Sequence, residues 1–272
     1  MHHHENSFNL LTYIGFIPFI VSIFLYVYAV ETSNKKFRDW PFYRIILFII
    51  GNLSIVLAII GPLAKQSHTH FVYHMYTHLI LGMLGPLLIV LSAPMTLLLR
   101  SIPIKTARKV SRLLKSKYVQ IMSHPILAGI LNLGGLWILY TTSLFEMMHH
   151  SIMISILVHG HIFLAGYFFT ISIVYIDPTP HRTSFLMRSI VLILYMAGHS
   201  ILSKWIYANP PGGVSKLDAE YGGLTMYYGG DLVDVILIIV LCYQLFHSRT
   251  IQAKLSKFYS KLKKPSPRFP QL

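Results

Sequence analysis

HFVYHMYTHLILGMLGPLLIVLSAPMTLLL, residues 70–99, runs for thirty positions without an Asp, Glu, Lys or Arg. A helix crosses the roughly 30 Å hydrocarbon core of a bilayer with about 20 apolar residues, so this stretch spans it with length to spare. Gly85-Pro86 and Ala93-Pro94 predict where the excess goes: a kink at the first pair, then a turn along the membrane face at the second. Six further apolar runs flank it, Leu10–Val30, Tyr43–Leu63, His124–Phe145, Ser151–Ile176, Ser184–Tyr207 and Gly223–His247. The expected fold is therefore an all-α polytopic membrane protein, a bundle of seven transmembrane helices. It forms a single domain over residues 1–250, with a basic tail at 251–272.

Composition agrees: 54% of residues are hydrophobic and 12% charged, against about 25% charged in soluble domains. One cysteine, Cys242, excludes an intramolecular disulfide and any Cys-pair metal motif. The opening Met1-His2-His3-His4-Glu5-Asn6 lacks the basic region of a cleavable signal, so the first run is expected to be retained as a helix. The charge of +14 does not point to nucleic acid, because the basic residues lie between spans and in the tail. Lys35, Lys36, Arg38 and Arg44, seven cations from Arg100 to Lys117, Arg182 and Arg188, and seven more from Arg249 to Arg268 fall on one side of the seven-span arrangement. Only Lys65, Lys204 and Lys216 fall on the other, so the positive-inside rule puts the amino terminus outside and the carboxyl terminus in the cytoplasm. Ile104, Ala107, Val110, Leu113 and Leu114, and likewise Ile251, Leu255, Phe258 and Leu262, recur at helical spacing among these cations. Both segments read either as interfacial helices on anionic lipid or as charged faces that fix topology. The Pro-rich residues 265–270 are expected to be disordered.

Ionisable side chains within a bilayer are costly, which makes each one a functional candidate. His70, His74 and His78, four apart, keep to one helix face and form a ladder inward from the outer surface. His78, His159, His199 and Asp231 each lie eight residues from the outer end of their span, roughly 12 Å deep. Their convergence predicts a metal or haem site built from His74, His78, His159, His199 and Asp231, with copper or zinc suited to imidazole. His161 lies about 200° round the helix from His159, so only one of the two faces inward. Glu146-Met147-Met148-His149-His150, expected outside, sets thioethers beside imidazoles as a collection point for copper. Asp231 and Asp234 share a face behind Gly229-Gly230, and Asp231 is favoured as a ligand or as the orienting partner of an imidazole. A proton relay and a helix cap are the other readings of that pair.

Several segments in order resemble one family. They are His74-Met75-Tyr76-Thr77-His78-Leu79, Gly85-Pro86-Leu87-Leu88, Ala93-Pro94-Met95-Thr96-Leu97-Leu98-Leu99-Arg100, Ser123-His124-Pro125, Trp137, the fifth span around His150, His159 and Ala165-Gly166, Ser200 to Lys204, and Tyr221 to Asp231. Together they resemble the CtaG-type cytochrome c oxidase assembly factors of bacteria over about residues 10 to 250. The resemblance implies a seven-helix protein of the bacterial plasma membrane that helps mature a haem-copper oxidase through its copper centres, with oxidase subunits and membrane lipids as partners. His74, His78 and His159 fall on recurrent family histidines, and His199 and Asp231 match the Gram-positive branch. Tyr140 stands where many relatives carry the histidine of W-x-x-H, and Val158 where a Glu often precedes the fifth-span His. A copper-handling assembly factor that turns over no substrate is the leading expectation. An intramembrane zinc hydrolase and a haem protein are the alternatives. The seventh span has no mid-span Lys to form a retinal Schiff base.

Overall fold

The computed structural model describes residues 2–262, with side chains described for residues 15–247. Among these the chain is all helix: α1 (His2–Asn34), α2 (Phe42–Ile59), α3 (Pro62–Ser67), α4 (Phe71–Leu79), α5 (Gly85–Leu91), α6 (Pro94–Ser101), α7 (Ile104–Leu114), α8 (Lys117–Met122), α9 (Pro125–Thr141), α10 (Leu144–His150), α11 (Ile152–Ile173), α12 (Phe185–Ala208) and α13 (Lys216–Leu262). Six helical stretches are long and apolar enough to cross a membrane, and the pair α9 and α10 makes a seventh if taken as one broken span. The side chains of Ile251, Leu255, Phe258 and Leu262, and the whole of the Pro-rich 265–270, lie outside the described residues.

The 70–99 stretch is the axis of the bundle. Two-thirds (67%) of the Phe71–Leu91 window is buried, whereas none of the other five unbroken spans exceeds one-third. Ile20, Phe24, Ile193, Leu194 and Leu232 point outward and exposed, as lipid-facing side chains do. Two clusters pack against the central stretch. One joins Leu87, Val90, Phe169, Ile173, Leu192 and Leu237, and the other joins Phe71, Met75, Leu136, Phe145, Leu202 and Met226.

The kink expected at Gly85-Pro86 takes the form of a π-helical turn over Ile80–Leu84, which joins α4 to α5. Pro86 has no N–H, so it cannot bond the Gly82 carbonyl in the usual i to i−4 pattern. The ladder slips, and the Gly85 amide donates instead to Ile80 O. The Gly82 carbonyl thereby freed abuts Gly166 of α11, where a Cβ would collide with it. Only a glycine at 166 allows that approach.

At Ala93 the chain turns through a left-handed conformation, φ 55°, before Pro94 starts α6. Asp177, from the α11–α12 connection, accepts from the amides of Met95 (3.1 Å) and Thr96 (2.7 Å) and from the Thr96 hydroxyl (2.7 Å). Burial raises its carboxyl above the ordinary range, and these donors pull the other way. The opposite end repeats the device: Asp218 of α13 accepts from the amide of Phe71 at 2.6 Å and so caps α4. Arg188, buried in α12, donates to Ile173 O at 2.7 Å and to Gln244 at 3.1 Å. It thus meets the carbonyl end of α11, where a cation is favoured.

Two boundaries depart clearly from expectation: α13 begins at Lys216, seven residues before the expected Gly223, so Asp231 lies fifteen residues from its start rather than eight, and the fourth span ends early. The fourth span, expected to run from His124 to Phe145, stops at Thr141, and the chain bends by 77° into α10. The hydroxyls of Thr141 and Thr142 donate back to the carbonyls of Trp137 and Ile138, both at 2.6 Å, and local bonds of this kind bend helices.

Gly166→Ala is expected to lower stability by about 1–3 kcal/mol, because the Gly82 carbonyl, a backbone group that cannot rotate away, occupies the place of the new methyl. A thermal melt of the purified variant that matches wild type would refute the close α11 contact.

Candidate functional site: a descending set of imidazoles

The bend between α9 and α10 has a local consequence for chemistry. It lays α10 across the end of the bundle opposite the basic segments, where α3, α10 and the 209–215 connection enclose a vestibule of about 640 Å³. His68, His70, His149, His150, Glu146 and Asp218 are among its lining side chains.

From the vestibule the imidazoles descend into the bundle. His68 meets His149 edge to face, with ring centroids 6.0 Å apart. His149 lies 6.3 Å from His74, and His74 lies 6.5 Å from His159. One turn further along α4, His78 stacks on His199 of α12 at 6.0 Å and 27°. Tyr140 stands between the two levels: its hydroxyl and His74 Nε2 are 3.0 Å apart, and its ring lies 6.3 Å from that of His78. His74, His78 and His199 are buried.

Hydrogen bonds set two tautomers. His159 Nδ1 lies 2.8 Å from Ser155 O and His149 Nδ1 lies 2.9 Å from Phe145 O. A carbonyl only accepts, so Nδ1 carries the proton in each ring and Nε2 keeps its lone pair. At the deeper level both nitrogens of His78, together with His199 Nε2, are buried without a hydrogen-bond partner. A glycine makes room for one of these rings: a Cβ on Gly230 would stand 2.5 Å from His199 Cε1, whereas Gly82 makes room for Ile162, whose Cγ2 would lie 2.9 Å from a Cβ there.

The structure thus brings together His74, His78, His159 and His199 as two neighbouring pairs. Among the described residues no three His, Cys, Asp or Glu side chains stand close enough to form a ready metal cage. His70 leaves the ladder, being exposed at the vestibule and paired with Tyr73 at 5.9 Å. Asp231 is half-buried, and no hydrogen bond joins it to these imidazoles among the described residues. Gly230 faces His199, and the position four further on shares that face. Asp234 is accordingly the buried carboxylate, with Oδ1 unpartnered. His161 points away from the imidazole set, and its Nε2–H donates to Leu131 O at 3.1 Å, which ties α11 to α9. In the Glu146–His150 segment Met147 is exposed, while Met148 is buried in the core. His68 escaped the sequence reading because it precedes the span, and only the α9–α10 bend carries His149 to it.

The sequence model of the cytochrome c oxidase caa3 assembly factor family matches residues 24–248. An uncharacterized protein of Mycobacterium leprae is 28% identical over 246 residues, which is 80% of this chain and 36% of that protein. Uncharacterized proteins of Mycobacterium bovis and Mycobacterium tuberculosis are each 30% identical over 190 residues, 64% of this chain and 28% of theirs. The chain therefore spans about a third of the length of these curated relatives. No solved structure matches.

Gly230→Ala drives a methyl into the His199 ring, with an expected loss of about 1–3 kcal/mol. Tyr140→Phe, which strands His74 Nε2, is expected to cost about 1 kcal/mol. Melting temperatures of the two variants equal to wild type would contradict this packing.

Proposed function

The chain belongs to the cytochrome c oxidase caa3 assembly factor family, and from that premise we propose that it serves the maturation of a haem-copper oxidase by carrying copper on its paired imidazoles. The observation that carries this reading is His78, buried against His199 with neither ring nitrogen hydrogen-bonded. Leaving a buried polar group unpaired costs about 1–3 kcal/mol, and a metal bond offsets that cost.

The donor set fits copper as cargo. Imidazole accommodates both copper oxidation states, and the single Cys242 leaves thiolate out of the competition. His159 and His149 each hold Nδ1–H on a backbone carbonyl, the second hydrogen bond that orients metal-binding imidazoles.

In this reading His149 and His68 receive copper at the vestibule, the pair His74 and His159 takes it by ligand exchange, and His78 with His199 holds it deepest. Each step swaps one donor for another, so the protein turns over no substrate. Asp234, buried on the α13 face that packs against His199, takes the place first given to Asp231 as the carboxylate on the side of the deep pair. The vestibule faces outward from the bacterial plasma membrane, the amino terminus lies outside and the carboxyl terminus in the cytoplasm, as the one-sided Lys and Arg distribution supports. Subunits of the oxidase are the recipients. A zinc hydrolase would need three protein ligands around one ion and an open fourth position, for which two separate pairs are a poor basis.

Copper(I) titration of the purified chain tests the proposal beside His78→Ala, His199→Ala, His74→Ala and His159→Ala. Loss of either deep histidine is expected to weaken uptake at least about tenfold, while melting curves verify that each variant remains folded. Equal uptake by all folded variants would reject the site, and a Soret band in the protein as purified would replace copper with haem.

A further inference from the structure

At the basic end of the bundle a second groove, of about 730 Å³, opens between the α1–α2 connection, the end of α6 and α7. Lys36, Arg100, Arg108, Arg112 and Lys115 line it, and none of its lining residues is acidic. Along α7 the spacing Arg108, Arg112, Lys115 keeps these three cations on one face. Like charges gathered round one concavity repel each other, and an anion relieves that repulsion.

Arg100 is held ready at the groove. Its Nη2 donates to Arg38 O at 2.6 Å, and its guanidinium sits 5.0 Å from the Phe37 ring and 5.1 Å from the Trp40 ring. Its Nε is buried without a partner. The guanidinium is thus fixed by one carbonyl and two rings and retains unspent N–H capacity, as phosphate recognition requires.

The walls are not polar throughout. Phe37, Leu99, Ile104 and Ala107 alternate with the cations, and Phe37 and Ile104 are 52% and 72% exposed. A free inorganic anion has no use for such a surface, whereas a lipid needs both kinds of contact. The groove also lies where α1 and α6 end and α2 begins, at the basic end of the bundle.

We propose that this groove binds an anionic phospholipid, with its phosphate on Arg100, Arg108 and Arg112 and an acyl chain along Phe37, Leu99 and Ile104. The site is independent of the imidazole path and of any copper chemistry. It gives the basic α7 segment a discrete ligand beyond a general attraction to the membrane surface, which amounts to about fivefold in affinity per cation.

The test uses the full chain in uncharged detergent, mixed with phosphatidylglycerol or with phosphatidylcholine of the same acyl chains, and read by native mass spectrometry. Phosphatidylglycerol is expected to remain as a single-lipid adduct and phosphatidylcholine to be lost. The triple variant Arg108→Gln, Arg112→Gln, Lys115→Gln alters only exposed side chains. It is expected to lower phosphatidylglycerol retention at least about tenfold at unchanged melting temperature. Equal retention of the two lipids, or undiminished retention by the folded triple variant, overturns the proposal. So does inorganic phosphate that binds alone at the lipid's affinity and displaces it, since the groove would then take a free anion.

Discussion

Pro86 leaves the Gly82 carbonyl without its helical donor, and the bundle is organised around that deficit. A backbone oxygen stranded inside a membrane protein must be covered by something that approaches closely. Here the cover is the bare Cα of Gly166, so α11 lies against the π-turn more tightly than any side chain would allow. The same contact fixes the face that α11 presents to α4, with Ile162 packed beside Gly82 and His159 one turn nearer the vestibule. The proximity of His74 and His159 thus follows from a hydrogen bond that proline forbids.

Burial then divides the histidines by role. His161 spends its N–H on Leu131 O and is a strut between helices. His159 and His149 each anchor Nδ1 locally and keep Nε2 available. His78 is the extreme case, enclosed by α4, α12 and the flank of Tyr140, with both nitrogens unpaired. Most buried polar groups in proteins find a partner, and the proposed copper would supply the one these nitrogens lack. Gly230 leaves clearance beside the His199 ring, where a Cβ would stand 2.5 Å from Cε1.

Much of this was legible in the residues. The apolar runs gave the helices, and sixth-span limits of Ser184–Tyr207 differ by one residue from the observed Phe185–Ala208. The two proline pairs gave the kink and the turn of the central stretch. The matched depths of His78 and His199 gave their meeting, since helices in a membrane share a common frame. What stayed hidden depended on rotation and on loops. Asp231 was preferred to Asp234 because depth can be counted along a chain, whereas the inward face of α13 is set by Gly230 packing on His199. The early end of the fourth span rests on two threonine hydroxyls turning back on their own helix, a choice composition does not display. His68 was invisible for the same reason, as its neighbour His149 arrives only through that bend.

The carboxylate caps on the central stretch impose an order of events during biogenesis. The amide of Phe71 waits for Asp218, 147 residues downstream, and those of Met95 and Thr96 wait for Asp177, which also follows late. A nascent chain emerging into the bilayer therefore carries the start of α6 uncapped until the α11–α12 connection is made, and the start of α4 uncapped until the last span is synthesised. The mouth of the imidazole path closes into shape only then, so a ribosome-bound chain lacking α13 has the histidines of α4 without the walls that surround them.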